Sequence, residues 1–335
     1  MNTTEILNKI LKRQDLTSEE TSQLLLGIMD GAVTSVQAGA ILVALRMKGE
    51  TASEILGFIK TMRAKMISID APGAVDVVGT GGDGTGTFNI STAAAFVVSG
   101  AGAKVAKHGN RAASSKCGSA DVLEALGVKI DLAPEKAKAV FNNTGMIFMF
   151  APLYHPSMKA VVGVRRELKV RTIFNVLGPF TNPAGTLRQL TGVPNEEIAK
   201  KLTSVSKQLG YKHLLIVTSE DGMDEVSISS KTQAFEIRGE KVKKFTIDPA
   251  KLGIKKAAKS ALLGGNKEEN AQIITNILKG EKGPKRDIVV LNSACALFVA
   301  GAVKNIKDGI KLAEESIDSG KAQKALENLV RESQK

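Results

Sequence analysis

Five glycines fall within eight positions, Gly79 to Gly86, between a strand candidate at Val75–Val78 and a small-residue helix candidate over about Ser91–Ser99. This cluster constrains the chain more than any other feature. Glycine lets backbone N–H groups turn toward an anion without interference from a Cβ. A helix that starts directly after the loop adds its own donors and the positive end of its dipole. Ser91 and Thr92 add hydroxyl groups at that start. A strand, a glycine loop and a helix in this order read as a phosphate or diphosphate cradle; the plainer alternative is a mobile turn.

Two familiar phosphate loops fail their own tests. Gly79, Gly81 and Gly84 fit the G-x-G-x-x-G spacing, but a dinucleotide site also wants an acid about 20 residues further on. That region, Gly100–Lys107, contains none. A Walker loop needs Gly-Lys followed by Ser or Thr. The only Gly-Lys pair, Gly320-Lys321, is followed by Ala322.

The first seventy residues read differently, as helices alone. Three capping boxes punctuate them, Thr17 to Glu20, Thr34 to Gln37 and Thr51 to Glu54. Each precedes apolar residues at helical spacing, such as Ile55, Phe58, Ile59 and Met62. Beyond Asp70–Gly73 strands and helices alternate. Lys104–Lys107, His213–Thr218, parts of 226–247 and Ile288–Leu291 read as strands. Ala120–Leu126 and Pro134–Asn142 read as helices. The expected architecture is a small all-helical domain plus a larger α/β domain with a mixed, largely parallel sheet flanked by helices.

Composition bounds the partners. The chain of 335 residues carries 46 Lys+Arg against 34 Asp+Glu, so 46 − 34 = +12. That balance admits a nucleic-acid surface or a site for a phosphorylated small molecule. The absence of Trp and an aromatic share of 4% argue against a stacking platform for single strands. Cys117 and Cys295 cannot form a disulfide framework and fit a reducing compartment, so a cytoplasmic protein is expected. No secretory signal and no membrane span are expected either.

Three further clusters carry chemistry. Lys107, His108, Asn110 and Arg111 end the second strand, where ligands sit in a doubly wound sheet. Lys and Arg there can neutralise phosphate, and Ser114, Ser115 and Ser119 can donate to it. His108 reads equally well as structural. Asp224 and Glu225 lie on a loop after a buried strand and would suit Mg²⁺, which takes one or two carboxylates plus phosphate oxygens; the same run also reads as a solvated acidic turn. The basic segment from Val164 to Asn182 places Arg165 before a Gly178-Pro179 loop, where it could pair with an acidic substrate or simply face solvent.

In order, GTGGDGTGTFNIST, KHGNRAASSKCGSADVLEALG, VRRELKVRTIFNVLGPFTNPAG and DGMDE span most of the chain. Together they resemble the anthranilate phosphoribosyltransferase family. Pyrimidine nucleoside phosphorylases of the same fold carry K-H-S-T-G-G where KHGN stands here. The resemblance implies transfer of the 5-phosphoribosyl group from 5-phosphoribosyl-1-diphosphate to the amine of anthranilate, releasing diphosphate. It implies donor contacts from Gly79, Gly82, Asp83, Thr87, Asn89, Ile90, Ser91, Thr92, Lys107, Arg111, Ser115 and Ser119. It implies Mg²⁺ held by Ser91, Asp224 and Glu225, and acceptor contacts from Asn110 and Arg165 beside Gly178 and Pro179. Lys107, His108 and Arg165 form the implied catalytic group, with His108 lining the aromatic pocket rather than acting as a strong base. The implied division is 1–70 with 160–185 returning to it, against 71–159 and 186–335. A homodimer through the helical domain is implied as well. The alternatives are a nucleoside phosphorylase-like enzyme and a non-catalytic nucleic-acid-binding relative.

Overall fold

Three threonine hydroxyls start the helices of the N-terminal quarter. Thr17, Thr34 and Thr51 each accept from the N3 backbone N–H, while Glu20, Gln37 and Glu54 reach back to the cap N–H. The computed structural model describes residues 2–112 and 116–335. Its first helices are α1 (Thr3–Leu11), α2 (Ser18–Met29), α3 (Ser35–Lys48) and α4 (Ala52–Lys65). Glu54 is fully buried and binds more than its own cap: it accepts from the Leu16 N–H at 2.9 Å and from Lys48 at 3.1 Å. One carboxylate thereby ties the connection between α1 and α2 to α3 and α4.

The larger part contains a seven-stranded sheet in the order β3-β2-β1-β4-β5-β6-β7. The strands are β1 (Val75–Gly79), β2 (Val105–Gly109), β3 (Met146–Phe150), β4 (Arg188–Gly192), β5 (His213–Ser219), β6 (Thr232–Arg238) and β7 (Lys241–Ile247). The pairs from β3 through β5 are parallel, and β6 and β7 are antiparallel additions. The mixed, largely parallel sheet is as expected. After β1 the chain builds outward through β2 and β3, then returns to the other side of β1 as β4. The carboxyl ends of β1 and β4 therefore flank a topological switch point, the crevice where ligands bind in open α/β sheets.

Helices cover both faces: α5 (Ile90–Gly100), α6 (Ser119–Ala125), α7 (Pro134–Thr144), α8 (Ala151–Tyr154), α9 (Lys159–Leu168), α10 (Phe174–Leu177), α11 (Glu196–Ser206), α12 (Lys267–Leu278), α13 (Pro284–Ala300), α14 (Ile306–Asp318) and α15 (Lys321–Gln334). Two cores result. Leu215 and Val217 of β5 join the core shared with α5 and α13. Leu214 and Ile216, on the opposite face, join the core that runs through α11 into α1–α4. Val161, Val164, Ile173, Phe174, Leu177 and Phe180 lie in that second core, so α9 and α10 pack with the N-terminal helices.

One expectation is corrected. Ile288–Leu291 is not a strand but part of α13, a 17-residue helix with Pro284 in its first turn. The β-branched run suggested a strand. Burial decides otherwise: α13 is enclosed on nearly every side, so no polar face marks a helical period. This matters for the site, because Asn292 of α13 donates to the Val226 carbonyl and accepts from its N–H, both at 2.9 Å. It clamps the chain directly after Asp224 and Glu225. The stretch 226–228 is likewise not strand; together with the expected turn at 229–231 it forms a loop in which Ser227 bonds Ser219 and Asp221. Among the described residues no helix is long and apolar enough to cross a membrane.

Candidate active site

The strand ends meet an unusually close approach. Gly79 of β1 and Gly192 of β4 are direct partners across the switch point. A Cβ on Gly192 would lie 1.6 Å from the Asp224 carbonyl oxygen, and one on Gly79 would lie 2.5 Å from Asp224 Oδ2. Two residues without side chains thus make the seat for Asp224. The seated carboxylate accepts from the Gly81 N–H at 2.6 Å, and the Asp224 N–H donates to Asp83 Oδ2 at 3.2 Å. Asp83 also accepts from the Thr85 N–H and hydroxyl at 3.0 and 2.7 Å. Gly81 and Gly82 hold φ of 71° and 69°, a left-handed turn that side chains disfavour. The glycine loop is therefore pinned by hydrogen bonds to Asp83 and Asp224.

Around this seat opens a cleft of about 1030 Å³. Every site residue named from the sequence lines it except Ser115, which lies outside the described residues, as does Ser114. One end is made by residues of the loop Gly79 to Thr87, the first turn of α5 and the loop after β2. Ser91 gives its N–H to Glu225 Oε1 at 3.2 Å, which sets that carboxylate on the N-terminus of α5. Asn89 donates to the Cys117 carbonyl at 3.1 Å and accepts from Asn270 of α12 at 3.0 Å. Asp121 draws in the Ala112 and Gly118 N–H groups, and Ser119 donates to the Asn110 carbonyl.

Charges at this end are strongly perturbed. Burial above all, and then the nearby Asp83 charge, raise the Asp224 carboxyl to about 7. Burial and the Asp224 charge push Glu225 well above the usual carboxylate range, opposed by Lys107. Like charges confined this way favour a cation between them. Two adjacent carboxylates and a serine hydroxyl are an oxygen donor set that fits Mg²⁺, which completes its shell with phosphate oxygens and water. Among the described residues no group of three His, Cys, Asp or Glu forms a closed metal site by itself.

Two basic residues have partners that the sequence did not suggest. Lys107 is buried, and its Nζ donates to the Val77 carbonyl and to Ser91 Oγ, the latter at 3.2 Å. Burial lowers its pKa, while Asp76 and Glu225 hold the charge. It acts as an internal counter-ion beneath the cradle. Asp76 is in turn bound by Asn182, which donates to it at 2.7 Å and to the Ala106 carbonyl at 2.8 Å. Arg111 is paired with Glu124 and with Asp121, and it stacks near Phe150. Those two carboxylates raise its pKa and already neutralise the charge expected to meet phosphate.

The other end of the cleft is aromatic and basic. Arg165 of α9 is half-buried, and its guanidinium stands 5.6 Å from the Phe174 ring centre. Burial lowers its pKa, and no carboxylate among the described residues pairs with it. His108 and His155 lie 5.1 Å apart, ring centre to ring centre. Burial lowers His108 to about 3 and His155 to about 4, so both are neutral near pH 7. The His108 Nδ1–H donates to the Gly178 carbonyl at 3.2 Å, and Nε2 of each ring has no protein partner. Pro179 is held through its carbonyl by Gln189 at 2.8 Å. Met62, Asn175 and His155 complete this wall. Met62 and Asn175 were not singled out from the sequence, where each looks like an ordinary helix residue.

The glycine loop thus faces, across the cleft, the half-buried guanidinium of Arg165. Residues 4–66 match the helical bundle domain of the glycosyl transferase family, and residues 71–323 match its a/b domain. The chain is 50% identical to anthranilate phosphoribosyltransferase of Methanobrevibacter smithii, covering 97% of this chain and 98% of that protein. It is 51% identical to the Dehalococcoides mccartyi enzyme, covering 98% of each. The chain belongs to the anthranilate phosphoribosyltransferase family. Its fold matches the Thermus thermophilus anthranilate phosphoribosyltransferase with a TM-score of 0.91, at 39% identity over 98% of this chain and 99% of that one. The Saccharomyces cerevisiae enzyme in complex with PRPP and Mg matches with a TM-score of 0.91, at 29% identity over 99% of this chain and 98% of that one.

The raised Asp224 carboxyl predicts a pH signature. An unfolded aspartate ionises near 3.8, and this one near 7. The folded state therefore holds a proton that the unfolded state has released, and stability falls as pH rises from about 4 to 7. Asp224→Asn removes that penalty while an amide oxygen still accepts from Gly81. In metal-free protein at pH 8 the variant is expected to melt higher than wild type by about 2 °C or more, with the difference vanishing at pH 4. Added Mg²⁺ stabilises wild type more than the variant. Equal melting differences at both pH values would remove the charge argument.

Proposed function

We propose that this protein transfers the 5-phosphoribosyl group of 5-phosphoribosyl-1-diphosphate to the amine of anthranilate. A nitrogen–carbon bond forms at C1′, the bond from C1′ to the diphosphate oxygen breaks, and the amine gives up a proton. The ring-bound amine is neutral at pH 7 and becomes strongly acidic once it has attacked, so no strong general base is needed. That agrees with His108, which is too weakly basic to pull a proton early but whose free Nε2 can orient the amine.

Each end has a stated task. The Gly81–Asp83 turn, Asn89, Ser91 and Thr92 hold the diphosphate donor, together with Gly79, Gly82, Thr87, Ile90 and Ser119. Ser91, Asp224 and Glu225 hold Mg²⁺, which when bound neutralises charge on the departing diphosphate. Lys107 fixes Ser91 from beneath and offsets Asp76 and Glu225. Arg165 binds the anthranilate carboxylate over the Phe174 ring, with Asn110, Gly178 and Pro179 beside it. Positioning and charge stabilisation then supply the acceleration.

The observation that carries this reading is Arg165, a half-buried cation with an aromatic neighbour and, among the described residues, no acidic partner. It calls for an aromatic carboxylate; a pyrimidine offers none, which separates this reading from nucleoside phosphorolysis. Nor does the basic charge require nucleic acid. Lys241, Lys243 and Lys244 lie exposed on the edge strand β7, where charge prevents strand pairing between molecules.

Residues 160–185 are best grouped with 1–70 as one helical domain, and 71–159 with 186–335 as the other, which places the cleft between them. The helical domain also supports a homodimer. Leu11, Val36 and Met47 are 65%, 83% and 77% exposed, and with Ala40 and Val43 they form an apolar surface on α1 and α3. Burying such a surface against a second copy is the expected use. Cys117 and Cys295 are buried and not joined to each other, in keeping with a reducing cytoplasm.

The direct test follows the loss of anthranilate fluorescence on adding the donor and Mg²⁺. Wild type should consume anthranilate and leave thymidine or uridine untouched with phosphate; no loss of fluorescence would refute the assignment. Arg165→Ala should raise the KM for anthranilate about ten- to a hundredfold and the donor KM far less. Equal effects on both substrates would exclude the carboxylate contact. For assembly, light scattering should show twice the chain mass for wild type and a single chain for Val36→Glu with Met47→Glu. A monomeric wild type would contradict the dimer.

A further inference from the structure

Arg171 reaches the glycine loop from the segment that follows α9. α9 ends at Leu168, and Lys169 turns the chain with φ of 52°. That turn carries residues 170–173 across to the cradle. Arg171 Nη2 donates to the Gly81 carbonyl at 3.3 Å, and its own carbonyl accepts from Arg46 of α3. The Gly81 N–H is the group held by Asp224. Gly81 is thus gripped on one side by an acid of the β5 loop and on the other by a cation attached to the N-terminal helices.

The guanidinium lies over Gly82. A Cβ built there would be 3.6, 3.7 and 4.0 Å from Nη2, Cζ and Nε. No carboxylate among the described residues is within ion-pair distance of Arg171, in contrast to Arg111, which has two. One of its N–H donors serves the Gly81 carbonyl, and the side chain is only half-buried. A planar, permanently charged fork beside a phosphate loop is suited to diphosphate oxygens.

We propose that Arg171 is a diphosphate-binding residue that joins the donor end of the cleft to the helices carrying Arg165. The proposal rests on the phosphoribosyltransferase reading. Bound diphosphate attracts Arg171, and Arg171 sits six residues after Arg165 on the same returning segment. Donor binding then steadies the acceptor pocket, and by linkage anthranilate strengthens donor binding by the same factor.

The test compares Arg171→Gln with Arg171→Lys. Glutamine keeps a donor for the Gly81 carbonyl and loses the charge; lysine keeps the charge. Inorganic diphosphate is titrated with Mg²⁺ by calorimetry, and KM is measured for each substrate. Arg171→Gln should weaken diphosphate binding and raise the donor KM by about tenfold, and the anthranilate KM at saturating donor should rise as well, because the coupling to the acceptor pocket is lost. Arg171→Lys should restore most of the loss. Diphosphate affinity in Arg171→Gln equal to wild type would overturn the proposal, as would a loss in both variants together with a lowered melting temperature. A wild type that neither binds diphosphate nor consumes anthranilate would instead remove the reading on which the proposal stands.

Discussion

The structure depends on the absence of two side chains. Gly79 and Gly192 face each other at the end of two parallel strands, and Asp224 occupies the space their Cβ atoms would fill. That contact fixes where the β5 loop crosses the sheet. It aims the Asp224 carboxylate at the Gly81 N–H and places Glu225 on the first turn of α5. The glycine loop, the acidic loop and the helix start then form one object. Its shape follows from close backbone packing, and its charge follows from what that packing buries.

Burying acids together is costly unless something answers them. Lys107 answers from inside the sheet, below Ser91, where it also faces Asp76. A metal carried with a diphosphate would answer from the cleft. The opposite pattern holds at the acceptor end, where Arg165 stands without an acid beside two neutral histidines. One end of the cleft thus carries clustered carboxylates, and the other an unpaired guanidinium. Under the proposed function, a metal-bound donor would meet the first and a carboxylate the second.

Much of this was readable in the sequence where the cause is local. The three threonine caps form because each needs only residues three positions apart. The glycine loop was readable because positive φ and close approach demand glycine. Long-range causes were not readable. α13 looked like a strand at Ile288–Leu291 because enclosure on every side erased its helical pattern. The short strands β3 and β4 carry no alternation to mark them. The pairing of Arg111 with Glu124, thirteen residues away, was not readable because the two meet only once α6 has formed. The clamp of Asn292 on Val226 and the bond from Asn182 to Asp76 join segments 66 and 106 residues apart. Such pairings exist only in the folded sheet.

The seat for Asp224 can be tested most directly through Gly192→Ala, with donor binding read by calorimetry in the presence and absence of Mg²⁺. Wild type should bind 5-phosphoribosyl-1-diphosphate much more tightly with Mg²⁺ than without. In Gly192→Ala the added methyl must displace the Asp224 backbone, so the Mg²⁺-dependent gain should be lost while circular dichroism shows the fold retained. An undiminished Mg²⁺-dependent gain in the variant would contradict the claim that this glycine pair positions the site.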